Sequence, residues 1–396
     1  MTEKNLDFDR HIERKNTDCL KYDFAVRRGK PENVLPFWVA DMDFMTSSYV
    51  IDALKERAEH GIFGYTEGRE NYFEAVSSWM IRQHGWKTEP KWLVETPGVV
   101  FALAASVRAY TDAGDYVMIN QPVYYPFGEV IRDNDRKVIS SDLVLDENSG
   151  KYHIDFDDFE AKIKNYGVKL YLLCSPHNPV GRVWTREELE KIGDICLRNG
   201  CIVVSDEIHS DFVYGENKHH VFAGISGEFA DISVVCTAPS KTFNLAGLQI
   251  SNIFIKNDNL RRKFRHQVAA AGYSQPNTMG VVACEAAYRN GYEWYREVLQ
   301  YIHGNIVYMH GYIQKNIPQI RMTEPEGTYL VWLDFRKLGL NEAELENLIV
   351  NKAGLWLDAG AVFGKSGEGF ERINVACTRE FLGTALDRLK SAIYTL

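Results

Sequence analysis

Lys241 lies in the run Thr237-Ala-Pro-Ser-Lys-Thr-Phe-Asn-Leu-Ala-Gly247, directly after the apolar stretch Ile232-Ser-Val-Val-Cys236. A lysine among small, turn-forming residues at a strand end sits at the carboxyl edge of a sheet, where open α/β proteins bind ligands. Three roles are open to it: a phosphate contact, a surface charge, or a nucleophile whose pKa is lowered by burial and cationic neighbours. A second edge feature is Asp206-Glu207, closing the apolar run Cys201-Ile-Val-Val204. An acidic pair there needs a partner. Asp206 either caps a following helix or pairs with a protonated heteroaromatic nitrogen. Asn178 in Ser175-Pro-His-Asn-Pro-Val-Gly181 follows a third apolar run, and its Asn-Pro step forces a turn at the same edge. Thr96-Pro-Gly98-Val99-Val100 leads into a helix whose free N–H groups suit a phosphate. Arg372, in Phe370-Glu-Arg-Ile-Asn-Val-Ala376, is either a rim ion-pair residue or a bidentate clamp for a carboxylate.

These residues need a scaffold, and the chain between 47 and 255 alternates helix and strand signals. Ser47 or Ser48 caps a helix that Gly61 ends, and 70–84 repeats the pattern up to Gly85. A helix over 100–112 precedes a strand at 116–119, and Thr185-Arg-Glu-Glu188 is a capping box for a helix closed by Gly200. The apolar runs 169–174, 201–204, 232–236 and 250–255 read as strands covered on both faces, hence a mainly parallel sheet between helices. After about 258 a basic helix leads into a long helical stretch to about 316. A strand over 328–335, a short one near 373–376 and helices near 341–353 and 379–394 then make an α+β unit. The first 45 residues are too short to fold alone and should dock on one of the units or on a partner subunit.

The 396 residues exceed what one core serves, so two unequal units are expected. A net charge of −9 argues against binding nucleic acid through bulk charge. No apolar run is long enough for a membrane span and the start has no apolar leader, so a cytoplasmic protein is expected. The seven cysteines contain no C-x-x-C pair and suggest reduced thiols. No zinc-type spacing occurs, and His219-His220 reads as a solvated loop.

In order, Gly98, Pro122-Val-Tyr124, Asn178-Pro179-x-Gly181, Asp206, Ser240-Lys241 and Arg372 resemble the pyridoxal-phosphate enzymes of the class I/II aminotransferase family. The spacing is 28 residues from Asn178 to Asp206, 35 on to Lys241 and 131 on to Arg372, and the likeness covers nearly the whole chain. The resemblance implies the aspartate-aminotransferase-like α/β fold. It places a large cofactor domain with a mainly parallel seven-stranded sheet at 46–285. A smaller α+β domain is built from 1–45 and 286–396.

It further implies that Lys241 makes the Schiff-base link to pyridoxal 5'-phosphate and shuttles protons, and that Asp206 keeps the pyridine nitrogen protonated. Asn178 meets the phenolic oxygen and the substrate, Tyr124 stacks on the ring, and Gly98, Val99 and Val100 cradle the phosphate. His209 and Ser240 complete the cofactor shell. Arg372 grips the substrate α-carboxylate with Trp38 nearby. Tyr65 reaches the phosphate of the neighbouring subunit, which makes a homodimer the active unit.

Three positions depart from the transaminase pattern: His209 replaces a tyrosine, Gln249 an arginine and Ala238 a serine, leaving Thr237 and Ser240 as hydroxyl candidates. With Leu35-Pro-Phe-Trp-Val-Ala-Asp-Met-Asp-Phe44 they are similar to the cystathionine β-lyase-like C–S lyases. That branch implies α,β-elimination of L-cystathionine or other S-substituted cysteines to a thiol, pyruvate and ammonia. A true aminotransferase is the alternative. The loop 358–366, with Trp38 and Tyr124, is the candidate for side-chain selectivity.

Overall fold

The computed structural model describes residues 6–396. Seven strands form the main sheet: β1 (Leu93–Thr96), β2 (Tyr116–Ile119), β3 (Lys137–Ser140), β4 (Leu170–Cys174), β5 (Ile202–Asp206), β6 (Ser233–Thr237) and β7 (Ser251–Phe254). Their spatial order is β1-β7-β6-β5-β4-β2-β3. All neighbours are parallel except β7, which runs antiparallel to both β6 and β1. Strands β4, β6 and β7 are buried at every position, as strands covered by helices on both faces must be.

The helix signals act as expected. Helix α1 (Ser48–His60) is capped by the Ser47 side chain and ended by Gly61 in the left-handed region, and α2 (Glu70–His84) ends likewise at Gly85. The Thr185–Glu188 capping box forms with both of its hydrogen bonds. Helix α3 (Val99–Tyr110) starts directly after Gly98, and α4 (Pro126–Arg132) follows β2. The stretch expected to be helical to 316 is broken instead. A loop around Gly272 and Pro276 precedes a helix over Thr278–Asn290, capped by Asn277, and Gly291 separates it from Tyr292–Asn316.

A second, four-stranded sheet is formed by β8 (Arg321–Thr323), β9 (Leu330–Asp334), β10 (Asp358–Ala359) and β11 (Phe370–Asn374), in the order β8-β9-β11-β10. Leu35-Pro36 pairs in parallel with Leu355-Trp356, and this ties the N-terminal segment to that side of the molecule. Phe37 stacks on Phe381 of the final helix, Arg379–Ile393. Among the described residues no helix is long and apolar enough to cross a membrane.

Candidate active site

Four strand ends converge on one place. β5 ends at Asp206, whose Cα pairs with Cys174 on one side and Cys236 on the other. The turn after β4 carries Asn178, whose N–H donates to Cys174 Sγ at 3.4 Å. β6 ends at Thr237, and a short helix, Pro239–Thr242, then presents Lys241. β1 passes through Pro97 and Gly98 into α3. The result is a cavity of about 190 Å³ lined by Lys241, Asp206, Asn178, Tyr124, His209 and Ser240. Gly98, Val99 and Val100 close it at the start of α3, where no side chain caps the first-turn N–H groups. Gly98 itself has extended backbone with φ near 174°, so its value is the open approach rather than a special conformation.

Burial dominates the electrostatics. It lowers the Lys241 amine to about 8; Asp41 and Asp206 oppose the shift and Arg372 adds to it. Lys241 Nζ donates to Ala40 O at 2.6 Å, and the Tyr329 hydroxyl donates to the same oxygen at 3.0 Å. Burial pushes the Asp206 carboxyl up to about 7, although Oδ1 accepts from Ile208 N at 3.1 Å and Lys241 favours the charge. No helix follows Asp206, so it caps none. Burial, then Lys241 and Arg372, keep His209 neutral, and its Nδ1 is buried without a hydrogen-bond partner. Burial likewise raises the Tyr124 phenol.

Arg372 stands at the mouth, 2 % exposed, on β11. Its Nη1 donates to Asn178 Oδ1 at 3.0 Å, and Nη2 donates to the Trp38 carbonyl at 2.7 Å and to Asp358 Oδ2. Asp358 and Arg372 are direct cross-strand partners of β10 and β11, which makes the ion pair a consequence of register. The Nε group of Arg372 is buried and unpartnered. Trp38 contributes its carbonyl here, while its ring stacks on Trp356 at 4.4 Å.

Residues 32–389 match the family described as aminotransferase class I and II. The chain belongs to that family. It is 43% identical over 388 residues to the cystathionine beta-lyase PatB of Bacillus subtilis (strain 168), covering 98% of this chain and 100% of PatB. It is 32% identical to the protein MalY of Escherichia coli (strain K12), over 98% and 99% of the two chains. Cystalysin from Treponema denticola, whose crystal structure contains a pyridoxal 5'-phosphate cofactor, superposes with a TM-score of 0.95 at 39% identity, covering 98% of this chain and 99% of cystalysin.

Within this family member, Arg372 and Trp38 lie beside the cavity rather than in its lining, and Tyr65 is set well apart from it. It is 96 % exposed, in a loop facing the segment 272–279. Gln249 is exposed in a left-handed turn outside the cavity lining, and the Thr237 hydroxyl is spent on Asn252 O at 3.0 Å, which leaves Ser240 as the hydroxyl in the cavity. His219 corrects the solvated-loop expectation. It is buried, with Nε2 2.8 Å from Glu207 Oε2, because the fully buried Glu207 carboxylate needs partners and also accepts from Ser205 Oγ and Phe222 N. The cavity wall at Ala40 and Asp358 as the partner of Arg372 were not legible: a backbone carbonyl leaves no residue-type signal, and the Asp358 contact depends on strand register.

Proposed function

We propose that this chain is a pyridoxal 5'-phosphate-dependent C–S β-lyase that converts L-cystathionine and related S-substituted cysteines, with water, to a thiol, pyruvate and ammonia. The observation that carries the reading is the single cavity at the sheet's carboxyl edge in which Lys241, Asp206, Asn178 and Tyr124 meet the open start of α3, with Arg372 at its mouth. The names of PatB and cystalysin, whose likeness spans the whole chain, favour elimination over transamination.

The residues fit the cofactor. The buried Asp206 carboxylate and the orphaned His209 Nδ1 both want a partner inside the cavity, and the uncapped α3 start with Ser240 suits a phosphate. Asn178, whose Oδ1 serves Arg372, keeps Nδ2 to donate to a phenolic oxygen. When bound, the cofactor supplies a protonated ring that accepts the electron pair released at the substrate's Cα. Lys241 Nζ, made less basic by burial, takes the Cα proton and returns it to the departing sulfur as the Cβ–S bond breaks. Arg372 orients the substrate through its α-carboxylate, exchanging Asp358 for it. Released 2-aminoacrylate then hydrolyses to pyruvate and ammonia.

Tyr65 belongs, in this reading, to the site of a second copy in a homodimer, in keeping with the exposed Ile62, Phe63 and Tyr65. In the same reading the cofactor domain spans 46–285 and the smaller one 1–45 with 286–396, a division supported by the seven strands of the main sheet all lying between 93 and 254. A cytoplasmic setting suits seven free cysteines, six of them buried. The test is incubation with L-cystathionine and no 2-oxo acid. Catalytic release of thiol and pyruvate, abolished in Lys241→Ala, is expected; turnover only with an added 2-oxo acid would make the protein an aminotransferase.

A further inference from the structure

Asp211 is buried, carries a carboxylate and lines no part of the catalytic cavity. Four side chains hold it. Trp79 Nε1 donates to both carboxylate oxygens, at 3.1 and 3.3 Å, and His84 Nε2 lies 3.1 Å from Oδ1. The Tyr295 hydroxyl donates to the Asp211 main-chain carbonyl at 2.6 Å. The fourth is Thr242, itself buried, whose hydroxyl donates to Oδ2 at 2.6 Å.

Thr242 is the chain neighbour of Lys241, and Asp211 lies on the turn that leaves β5 at Asp206. That turn is closed by Ser210 N donating to Glu207 O and Phe212 N to His209 O, both at 2.9 Å. The Thr242–Asp211 bond therefore ties the turn carrying Asp206 to the turn carrying Lys241. Lys241 needs such a tie. Its helix, Pro239–Thr242, is a single turn, and one turn does not hold its own shape as a long helix does. The residues after it are fixed one by one. Phe243 packs on Trp79 with ring centroids 5.3 Å apart, and the Asn244 amide donates to Met42 O at 2.9 Å and to Phe44 O at 3.0 Å. Trp79 thus holds both Asp211 and Phe243. The charges that act on the Lys241 amine are Asp41, Arg372 and Asp206. Asp211 is not among them and reaches the amine through Thr242.

We infer that Asp211 is a positioning residue for the proton transfer: through the Thr242 hydroxyl it sets where the Lys241 amine stands relative to the substrate's Cα. The inference rests on the role proposed for Lys241 and adds what aims it. A general base works only within hydrogen-bond reach of the proton it takes, and a misplacement of about 1 Å costs on the order of a hundredfold.

The test isolates the proton step. L-Alanine has no leaving group at Cβ, so exchange of its Cα proton in D2O, followed by proton NMR on the cofactor-loaded protein, reports Lys241 without elimination. Thr242→Val keeps the branched outline and removes the hydroxyl. Its exchange rate per bound cofactor is expected to fall about tenfold, with the half-saturating L-alanine concentration within about twofold. Thr242→Ser keeps the hydroxyl and should stay within about threefold of the unaltered protein. Asp211→Asn added to Thr242→Val should cost little more than the larger single loss, because both cut one bond. Pyruvate release from L-cystathionine per bound cofactor should follow the same ratios, and equilibrium dialysis should show pyridoxal 5'-phosphate held about threefold more weakly by Thr242→Val. Unchanged exchange per bound cofactor in Thr242→Val, even with a lower melting temperature, would reduce Asp211 to a structural support. An unaltered protein that exchanges the proton but releases no pyruvate from L-cystathionine would overturn the elimination and leave the positioning role standing. One that does neither would overturn both.

Discussion

The floor of the catalytic cavity and its mouth both hold buried charged groups, and they treat them in opposite ways. On the floor, Asp206 has one backbone N–H and no cation in contact, Lys241 is held by a carbonyl, and the buried His209 Nδ1 has nothing. At the mouth, Arg372 has an amide oxygen, a carbonyl and a carboxylate on its two terminal nitrogens, and only its Nε lacks a partner. An incompletely satisfied floor displaces pKa values and waits for a ligand with complementary charges. The mouth is already occupied, and it takes a substrate carboxylate only by releasing one of its own. The two ends of the site therefore differ in what binding costs: filling a need at one, exchanging partners at the other.

The largest effect should come from the floor. Asp206→Asn removes the carboxylate that would hold a ring nitrogen protonated, and pyruvate release should fall about a thousandfold. The same residue has a signature without cofactor. Its folded-state value of about 7 lies above the ordinary 3.8, so the folded protein keeps a proton that the unfolded chain has lost between those values. The contribution is fully present below about pH 4 and is lost as pH rises through about 7, a decline of up to roughly 4 kcal/mol. Urea unfolding midpoints of the cofactor-free protein should fall over that range, and Asp206→Asn should flatten the fall. An equal slope in both proteins would remove Asp206 as the cause.

The mouth should respond less and with opposed signs. Asp358→Asn takes away the internal competitor for Arg372, so KM for L-cystathionine should drop about tenfold with kcat little changed. It also strands a buried guanidinium, so the melting temperature of the free protein should fall. A KM that rises instead would show that Asp358 positions Arg372 for the substrate rather than competing with it.

This contrast also explains what could be read in the sequence. The floor is built from the ends of buried strands followed by turn residues, and both signals are local: the apolar runs before Asn178, Asp206 and Lys241 each became a strand pointing at the cavity. The antiparallel direction of β7 was not legible, because a strand covered on both faces reads as the same apolar run in either direction. The edge strands β1 and β3 escaped notice because they are short, exposed in part and carry Glu95 and Lys137. At the mouth Arg372, Trp38 and Asn178 were legible as residue types, but not the carboxylate that holds the arginine. That carboxylate, Asp358, comes from pairing β10 with β11, a non-local fact. His219 was misread for a similar reason: its partner Glu207 lies 12 residues away, and nothing local marks that carboxylate as needing it.

The smallest effect separates two residues near the expected phosphate end of the floor. Ser240 lines the cavity, whereas Gln249, where the resemblance leads one to expect an arginine, is exposed, has a left-handed backbone with φ 49° and is not part of the cavity lining. A hydroxyl donating to a phosphate contributes about 1 kcal/mol, so Ser240→Ala should weaken cofactor retention about fivefold in equilibrium dialysis. Gln249→Ala removes no group that faces the cavity and should change retention by less than about twofold, the range of an ordinary surface substitution. If Gln249→Ala proves the more damaging, the phosphate is held across that turn rather than at the start of α3, and the floor extends further toward solvent than its lining residues indicate.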